Sequence, residues 1–302
     1  MRVEHAPDTG QIAPATDFVR LSGGKAANVA FLARRLGLSA QLLGCVGDDE
    51  LAEQALAPLR AAGIGLDHVS RAEGCATAVS MIAVLPDGKK SIVLAENANL
   101  AWSEAAKRRC LAAIEAAPPD SLLVADYEVP ADLVSAAVAA ARRRGFPVVI
   151  DPSSAERAEK AVLGQALAVT PNPAEAGTLA GLTVDGAESA AKAARRFAEW
   201  GVKLACVKLP DGGCVAASES RLVMVPPVTV PVVDSTGAGD AFAGALAVAL
   251  AEKQRPFDAV CFAVASSHVA VTGYGSQPAY PTRSQIDALL PRLLQGAHDV
   301  AT

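Results

Sequence analysis

The feature that most constrains this chain is an alternation between two apolar patterns. Residues 24–36, GKAANVAFLARRL, carry apolar side chains at helical spacing and stop on Gly37, as a helix with a C-terminal glycine does. The apolar run AQLLGCV follows, then a second helical pattern over residues 49–62 that stops at Gly63. Further on, the spacing predicts helices near 103–115, 130–144, 173–179 and 186–200, interleaved with the strands SLLVAD, FPVVID, LAVT and KLACVK. Strands that alternate with helices run parallel through crossovers, so the pattern predicts an α/β domain on a mostly parallel sheet.

Residues 74–95 break the rhythm. TAVSMIAVL and KSIVLAE flank Pro86, Asp87 and Gly88 and read as an inserted β-hairpin. A β pair, GCVAAS and RLVMVP, precedes two Ala-rich helical stretches at 238–251 and 256–271 and a last helix over 284–294. No repeat or low-complexity linker divides the chain, which predicts one large domain with a small β excursion.

At 302 residues and 51% hydrophobic, the chain can bury a core without disulfides or metal, and disorder and collagen are excluded. A net charge of −5 argues against a nucleic-acid binder. The six cysteines form no CxxC pair and read as reduced thiols in or near the core. None of the four histidines stands at metal-ligand spacing to another, which argues against a zinc hydrolase. The N-terminus lacks the pattern of a signal peptide, and charge or Gly/Pro interrupts every apolar stretch before it reaches about 18 residues. These features predict a cytoplasmic protein.

The most informative segment is DSTGAGDAFAG at 234–244. Gly237 and Gly239 let the backbone turn with its N–H groups outward, and the helix opening behind them adds a partial positive charge. Such a turn suits an anion. Asp240 within it is either a partner of the helix dipole or a base beside a phosphate. GxxxxGK[ST] is absent, and GAGDAFAG has the wrong spacing and place for a dinucleotide fingerprint.

A second segment is GGKAANVA at 23–30. Gly23 and Gly24 let a ligand approach the backbone, and Asn28 offers donor and acceptor together, as a polyol requires. A plain helix start carrying Asn in its first turns explains the same residues.

Together these segments resemble the early GGxxxN and late DTxGAGDxFxG motifs of the ribokinase-type, or PfkB, carbohydrate kinase family. Asn172-Pro173-Ala174-Glu175 is similar to the family's NxxE element, and Glu128 stands where ribokinases place a sugar-contacting Glu. All four occur in the family's order. The resemblance implies a ribokinase-like three-layer α/β/α domain (residues 20–73 and 96–302) with a small β-sheet lid (1–19 and 74–95). It implies ATP-dependent phosphorylation of a hydroxyl on a sugar or nucleoside, with Mg²⁺ and a monovalent cation, usually K⁺.

In that resemblance Asp240 is the general base, and the N–H groups of Gly237, Ala238 and Gly239 form an anion hole for the γ-phosphoryl. Gly23, Gly24, Lys25, Asn28 and Glu128 hold the sugar. Asn172 and Glu175 organise Mg²⁺ and its waters. Asp234 and Thr236 stand at the monovalent-cation site, and Gly275 lines the adenine pocket or that same site. Lys208 and Gly213 fall in the segment that meets the nucleotide.

Three departures qualify the likeness. Where many ribokinases read TLG, this chain has Lys208-Leu209-Pro210, and Lys208 either reaches phosphate or is solvated. Ala26 and Ala27 replace a Gly-Ala pair, which narrows the sugar pocket. Residues 3–11 already read as the lid strand, with Asp8 in a turn, so the family's first strand and its sugar-binding Asp are missing. A late start is expected over true loss, because removing a central strand exposes unpaired neighbours.

These readings point to a kinase for a neutral, ribose-like sugar, since Lys25 is the only basic residue in the early motif and a phosphate recruits a basic cluster. A nucleoside kinase is the alternative, and a non-catalytic binding member of the fold is a third. An NAD-dependent oxidoreductase lacks its fingerprint. Two lids pairing edge to edge would make a homodimer.

Overall fold

Glycines and side-chain caps punctuate the chain into ten α-helices and eleven strands among the described residues. In the computed structural model these are 1–6, 9–10, 12–219 and 221–300; Asp8 lies outside them. The order is α1 (Lys25–Arg35), β1 (Gly44–Gly47), α2 (Glu50–Ala61), β2 (Val69–Ala72), β3 (Val79–Val84), β4 (Lys90–Ala95), α3 (Glu104–Ala116) and β5 (Leu123–Asp126). Then come α4 (Ala131–Arg143), β6 (Val148–Asp151), α5 (Lys160–Leu163), β7 (Ala168–Val169), α6 (Pro173–Ala180), α7 (Ala187–Glu199), β8 (Leu204–Lys208), β9 (Cys214–Ser218) and β10 (Arg221–Val225). The chain finishes with α8 (Ala238–Ala251), α9 (Pro256–Ala270), α10 (Arg283–Gly296) and β11 (His298–Asp299).

Seven strands form one sheet in the order β11-β10-β9-β8-β7-β6-β5, parallel from β5 to β8 and antiparallel beyond. Both faces are covered, so its strands are nearly continuous apolar runs. Val148 and Ile150 of β6 face a layer of α3, α4, α6 and α7, while Val149 faces α1, α8, α9 and α10. The result is a three-layer α/β/α sandwich. Phe242 and Leu246 of α8 are fully buried in the second layer, each contributing about 1.5–3 kcal/mol. Gly244 lets α8 approach α1, because a Cβ there would stand 3.2 Å from Leu32 Cδ2.

The run AQLLGCV does not join this sheet as the alternation suggests. Its strand β1 pairs in parallel with β2 alone, and β5 is an edge of the seven-stranded sheet. Among the described residues no strand bridges β1 and β5. β2 and the two-residue β11 escape sequence reading because neither shows an apolar alternation long enough to detect; β11 is placed by the open edge of β10.

β3 and β4 form the expected antiparallel hairpin, with Ile82 opposite Ile92. Val3 N donates to Val84 O and Val84 N to Met1 O, adding the N-terminal segment beside β3. The hairpin base is held by Thr77, whose Oγ1 and N donate to Asp49 at the start of α2 (2.6 and 2.9 Å). All six cysteines are free, five of them buried. No described helix is long and apolar enough to cross a membrane.

Candidate active site

Three of the four parallel strands of the sheet end in charge. Asp126 closes β5, Asp151 closes β6 and Lys208 closes β8, so their side chains gather at the carboxyl edge of the sheet, where open α/β sheets bind ligands. The N-termini of α1 and α8 meet them there. Lys25, Asp126, Asp151 and Asp240 line one small cavity.

Gly237 caps α8 in a left-handed conformation (φ 74°). A Cβ on it would lie 2.7 Å from both Ser276 Cβ and Tyr280 Oη, and Tyr280 Oη donates to its carbonyl, so only glycine fits. The turn offers the N–H groups of Gly237 and Gly239, which have no acceptor among the described residues, whereas Ala238 N–H reaches Ser235 O at 3.3 Å. Asp240 is buried three residues after the cap. Its Oδ2 accepts from Asn28 Nδ2 (2.7 Å), and its Oδ1 lies 3.3 Å from Lys25 Nζ.

Charge then runs in a ladder. Lys25 Nζ also lies 3.5 Å from Asp151 Oδ1, and Lys208 Nζ lies 3.4 Å from Asp151 Oδ2. Burial alone would lower the Lys25 ammonium, but Asp151, Asp240, Glu128 and Glu175 outweigh it and hold its pKa well above the ordinary value. Burial likewise pushes Asp151 up, and Lys208 and Lys25 overcome it, leaving Asp151 below the usual carboxylate range. Lys208 is not solvated: its side chain is 15% exposed, and a Cβ on Gly239 would stand 3.4 Å from its Nζ.

Asn28 is more committed than the sequence suggests. Besides donating to Asp240, its Oδ1 accepts from Gln277 Nε2 (3.1 Å), so the amide orients the carboxylate. Glu128 N donates to Asp126 Oδ1 (2.8 Å). Burial pushes Asp126 up to about 6; burial first, and then Asp126, push Glu128 up to about 7.

Asp234 is buried and accepts from Thr236 N (2.8 Å) and Gly275 N (2.9 Å), while Thr236 Oγ1 is buried without a partner. Gly275 thus belongs with Asp234, packed so that a Cβ would strike Leu21. Asn172 and Glu175 cap α6 reciprocally (2.9 and 2.8 Å), and burial, then Asp151, raises Glu175. Gly23 stays open, Gly24 begins α1 at φ 100°, and Gly213 N–H is spent on Asp211 within the β8–β9 turn.

Sequence reading passed over Asp126, Asp151 and Lys90. The first two carried a usable signal, an acid closing each strand pattern. Lys90 carried none, because only the fold places its hairpin over residue 235.

The model of the pfkB family carbohydrate kinases matches residues 2–283. The chain belongs to that family. It is 32% identical to a ribokinase of Haemophilus influenzae over 263 residues, covering 87% of this chain and 85% of that one. A ribokinase of Bacillus subtilis is 30% identical over 94% of this chain and 92% of its own. The structure of Arabidopsis thaliana ribokinase complexed with ribose and ATP superposes with a TM-score of 0.79 at 26% identity, covering 96% of this chain and 94% of that one. This pfkB-family protein is therefore a phosphotransferase acting on a sugar hydroxyl.

Proposed function

We propose that this kinase transfers the γ-phosphoryl group of ATP to a hydroxyl of a neutral, ribose-like sugar, with Asp240 as general base. The observation that carries the reading is Asp240 itself, a buried carboxylate gripped by Asn28 and Lys25 beside a helix start that no side chain caps. The acceptor oxygen forms a bond to the γ-phosphorus as the bond from that phosphorus to the β–γ bridging oxygen breaks. Asp240 takes the hydroxyl proton, and ADP departs with the electron pair of the broken bond. Negative charge on the transferring oxygens meets the N–H groups of Gly237 and Gly239 and the Lys208 ammonium, fixed in place beforehand, and the N–H of Ala238 once it exchanges its long bond to Ser235 O for the transferring group.

A neutral acceptor fits the surrounding carboxylates. Asp126, Glu128 and Asp151 would repel an anionic sugar, whereas Glu128, titrating near neutrality, can give or accept a hydrogen bond to a hydroxyl. Lys25 lines the same cavity, and Gly23 and Gly24 lead into it as the sugar-facing start of α1 in this reading.

Among the described residues no three His, Cys, Asp or Glu side chains form a metal cage. That fits Mg²⁺, which keeps its waters and leans on one or two carboxylates and the phosphates. Glu175 has one oxygen in its helix cap and one outside it, and with Asn172 would hold those waters. Mg²⁺ supplies charge neutralisation at the phosphates. The orphaned Thr236 Oγ1 beside Asp234 fits a K⁺ ligand set, with Gly275 closing it. Gly213 shapes the turn below the nucleotide. The β3–β4 hairpin with the N-terminal segment acts as a lid, and its exposed Met81, Ile92 and Val93 suit pairing with a second lid in a homodimer.

The test is an assay of purified protein with MgATP and K⁺ over neutral sugars, sugar phosphates and nucleosides. A phosphorylated neutral pentose is expected, and a nucleoside product would shift the substrate class. No turnover of any acceptor, together with unchanged ligand affinity in Asp240→Ala, would refute the kinase reading.

A further inference from the structure

The hairpin does more than cover the cleft: its turn is hydrogen-bonded to the segment that leads into the anion turn. Ser235 N and Oγ both donate to Gly88 O (3.0 and 2.9 Å), and Lys90 Nζ donates to Ser235 O at 2.8 Å. The seat is close. Gly88 has φ 76°, and a Cβ on it would stand 2.5 Å from Val232 Cγ1.

Ser235 O is also the acceptor reached by Ala238 N–H, at 3.3 Å. One carbonyl therefore serves two donors, and the charged one holds it at the shorter distance. Among the described residues this is the only hydrogen bond the Lys90 ammonium makes. A neutral donor could latch a carbonyl with less desolvation, yet the chain half-buries an ammonium here. Asp240 of α8 and Asp234 attract it, and Lys25 of α1 and Lys208 of β8 repel it.

We propose that Lys90 is a positioning residue that couples the hairpin to phosphoryl transfer. By binding Ser235 O at 2.8 Å it leaves Ala238 N–H only a long bond to that carbonyl (3.3 Å), one the transferring group can replace. With the hairpin lifted, Ser235 O loses its charged donor, its bond from Ala238 N–H tightens and the anion turn is one donor short, so transfer waits for closure over the acceptor. The inference rests on the anion-hole reading of the turn.

The experiment compares binding of MgADP with binding of MgADP plus aluminium fluoride, a mimic of the transferring phosphoryl group, by calorimetry in wild type, Lys90→Met, Lys90→Arg and Gly88→Ala. Lys90→Met should lose about tenfold or more in affinity for the mimic and stay within about threefold for ADP, with Lys90→Arg restoring most of the loss. With D-ribose and MgATP, the same variant should lower kcat by a similar factor and leave KM within about threefold. Gly88→Ala displaces the contact without touching charge and should reproduce the effect. Full preference for the mimic in Lys90→Met or Gly88→Ala overturns the proposal while the anion-hole reading stands, and so does a rise in KM with kcat unchanged. A wild type that binds the mimic no better than ADP overturns the anion-hole reading itself.

Discussion

Helices α6 and α8 each carry an acid three residues after the cap, and the two acids have opposite fates. In α6, Glu175 folds back to accept from Asn172 N while Asn172 accepts from Glu175 N, so two orphan donors are satisfied within four residues. In α8 the cap is Gly237, which has no side chain to close the turn, and Asp240 reaches outward to Asn28 and Lys25 of another helix. A helix start that satisfies itself is structural first. One that leaves the N–H groups of Gly237 and Gly239 without an acceptor among the described residues, and lends its acid to a neighbouring helix, stays open to a ligand.

The comparison is broken most directly at Asp240. Asp240→Asn should lower kcat by about 10²- to 10⁴-fold with little change in melting temperature, as the loss of a general base does. Steady-state kinetics beside a melting curve decides it; kcat within a fewfold of wild type would place Asp240 among ordinary helix-dipole partners.

Gly237→Ala comes next. A methyl group there would meet Ser276 and Tyr280 at 2.7 Å from a left-handed backbone, which costs about 1–3 kcal/mol and misplaces the donors. A kcat loss of about a hundredfold is expected, by analogy with removing one oxyanion donor. Wild-type kinetics in this variant would show that the turn geometry is not used.

Glu175→Gln sharpens the contrast, because Gln can still complete the capping box while losing its charge. Melting temperature should hold, and the Mg²⁺ concentration for half-maximal activity should rise about tenfold. An unchanged Mg²⁺ requirement would leave Glu175 as a cap and nothing more.

The smallest effect is at Glu128. Its folded pKa of about 7 lies above that of an unfolded Glu, so the fold favours the protonated form. That contribution is complete below about pH 4 and is lost as pH rises through 7. Glu128→Gln keeps a neutral side chain, so its melting temperature should match wild type near pH 4.5 and exceed it by about 2–4 °C at pH 8. Equal differences at both pH values would show that burial does not hold Glu128 up.

The alternation of patterns was enough to foretell a mostly parallel sheet with helical crossovers, the family resemblance implied helices on both its faces, and GGKAAN and DSTGAGD marked the two helix starts that meet in the site. The rest was hidden for identifiable reasons. Asp126 and Asp151 lie 25 residues apart and more than 85 from Asp240, and nothing local tells a reader that their strands end side by side. AQLLGCV has the composition of a sheet strand, but β-pairing depends on the neighbour it finds, and β1 finds only β2. Lys90 read only as the first residue of the hairpin's second strand.

The sequence by itself determined where most helices and strands start, stop and turn, because caps, glycines and apolar periodicity act over a few residues. Only the tertiary structure decided which charges face one another. Lys25 stands between Asp151 and Asp240, Lys208 lies against Gly239, and Lys90 takes Ser235 O because three layers and a hairpin converge on one edge. Charge falls off through space and takes no account of distance along the chain.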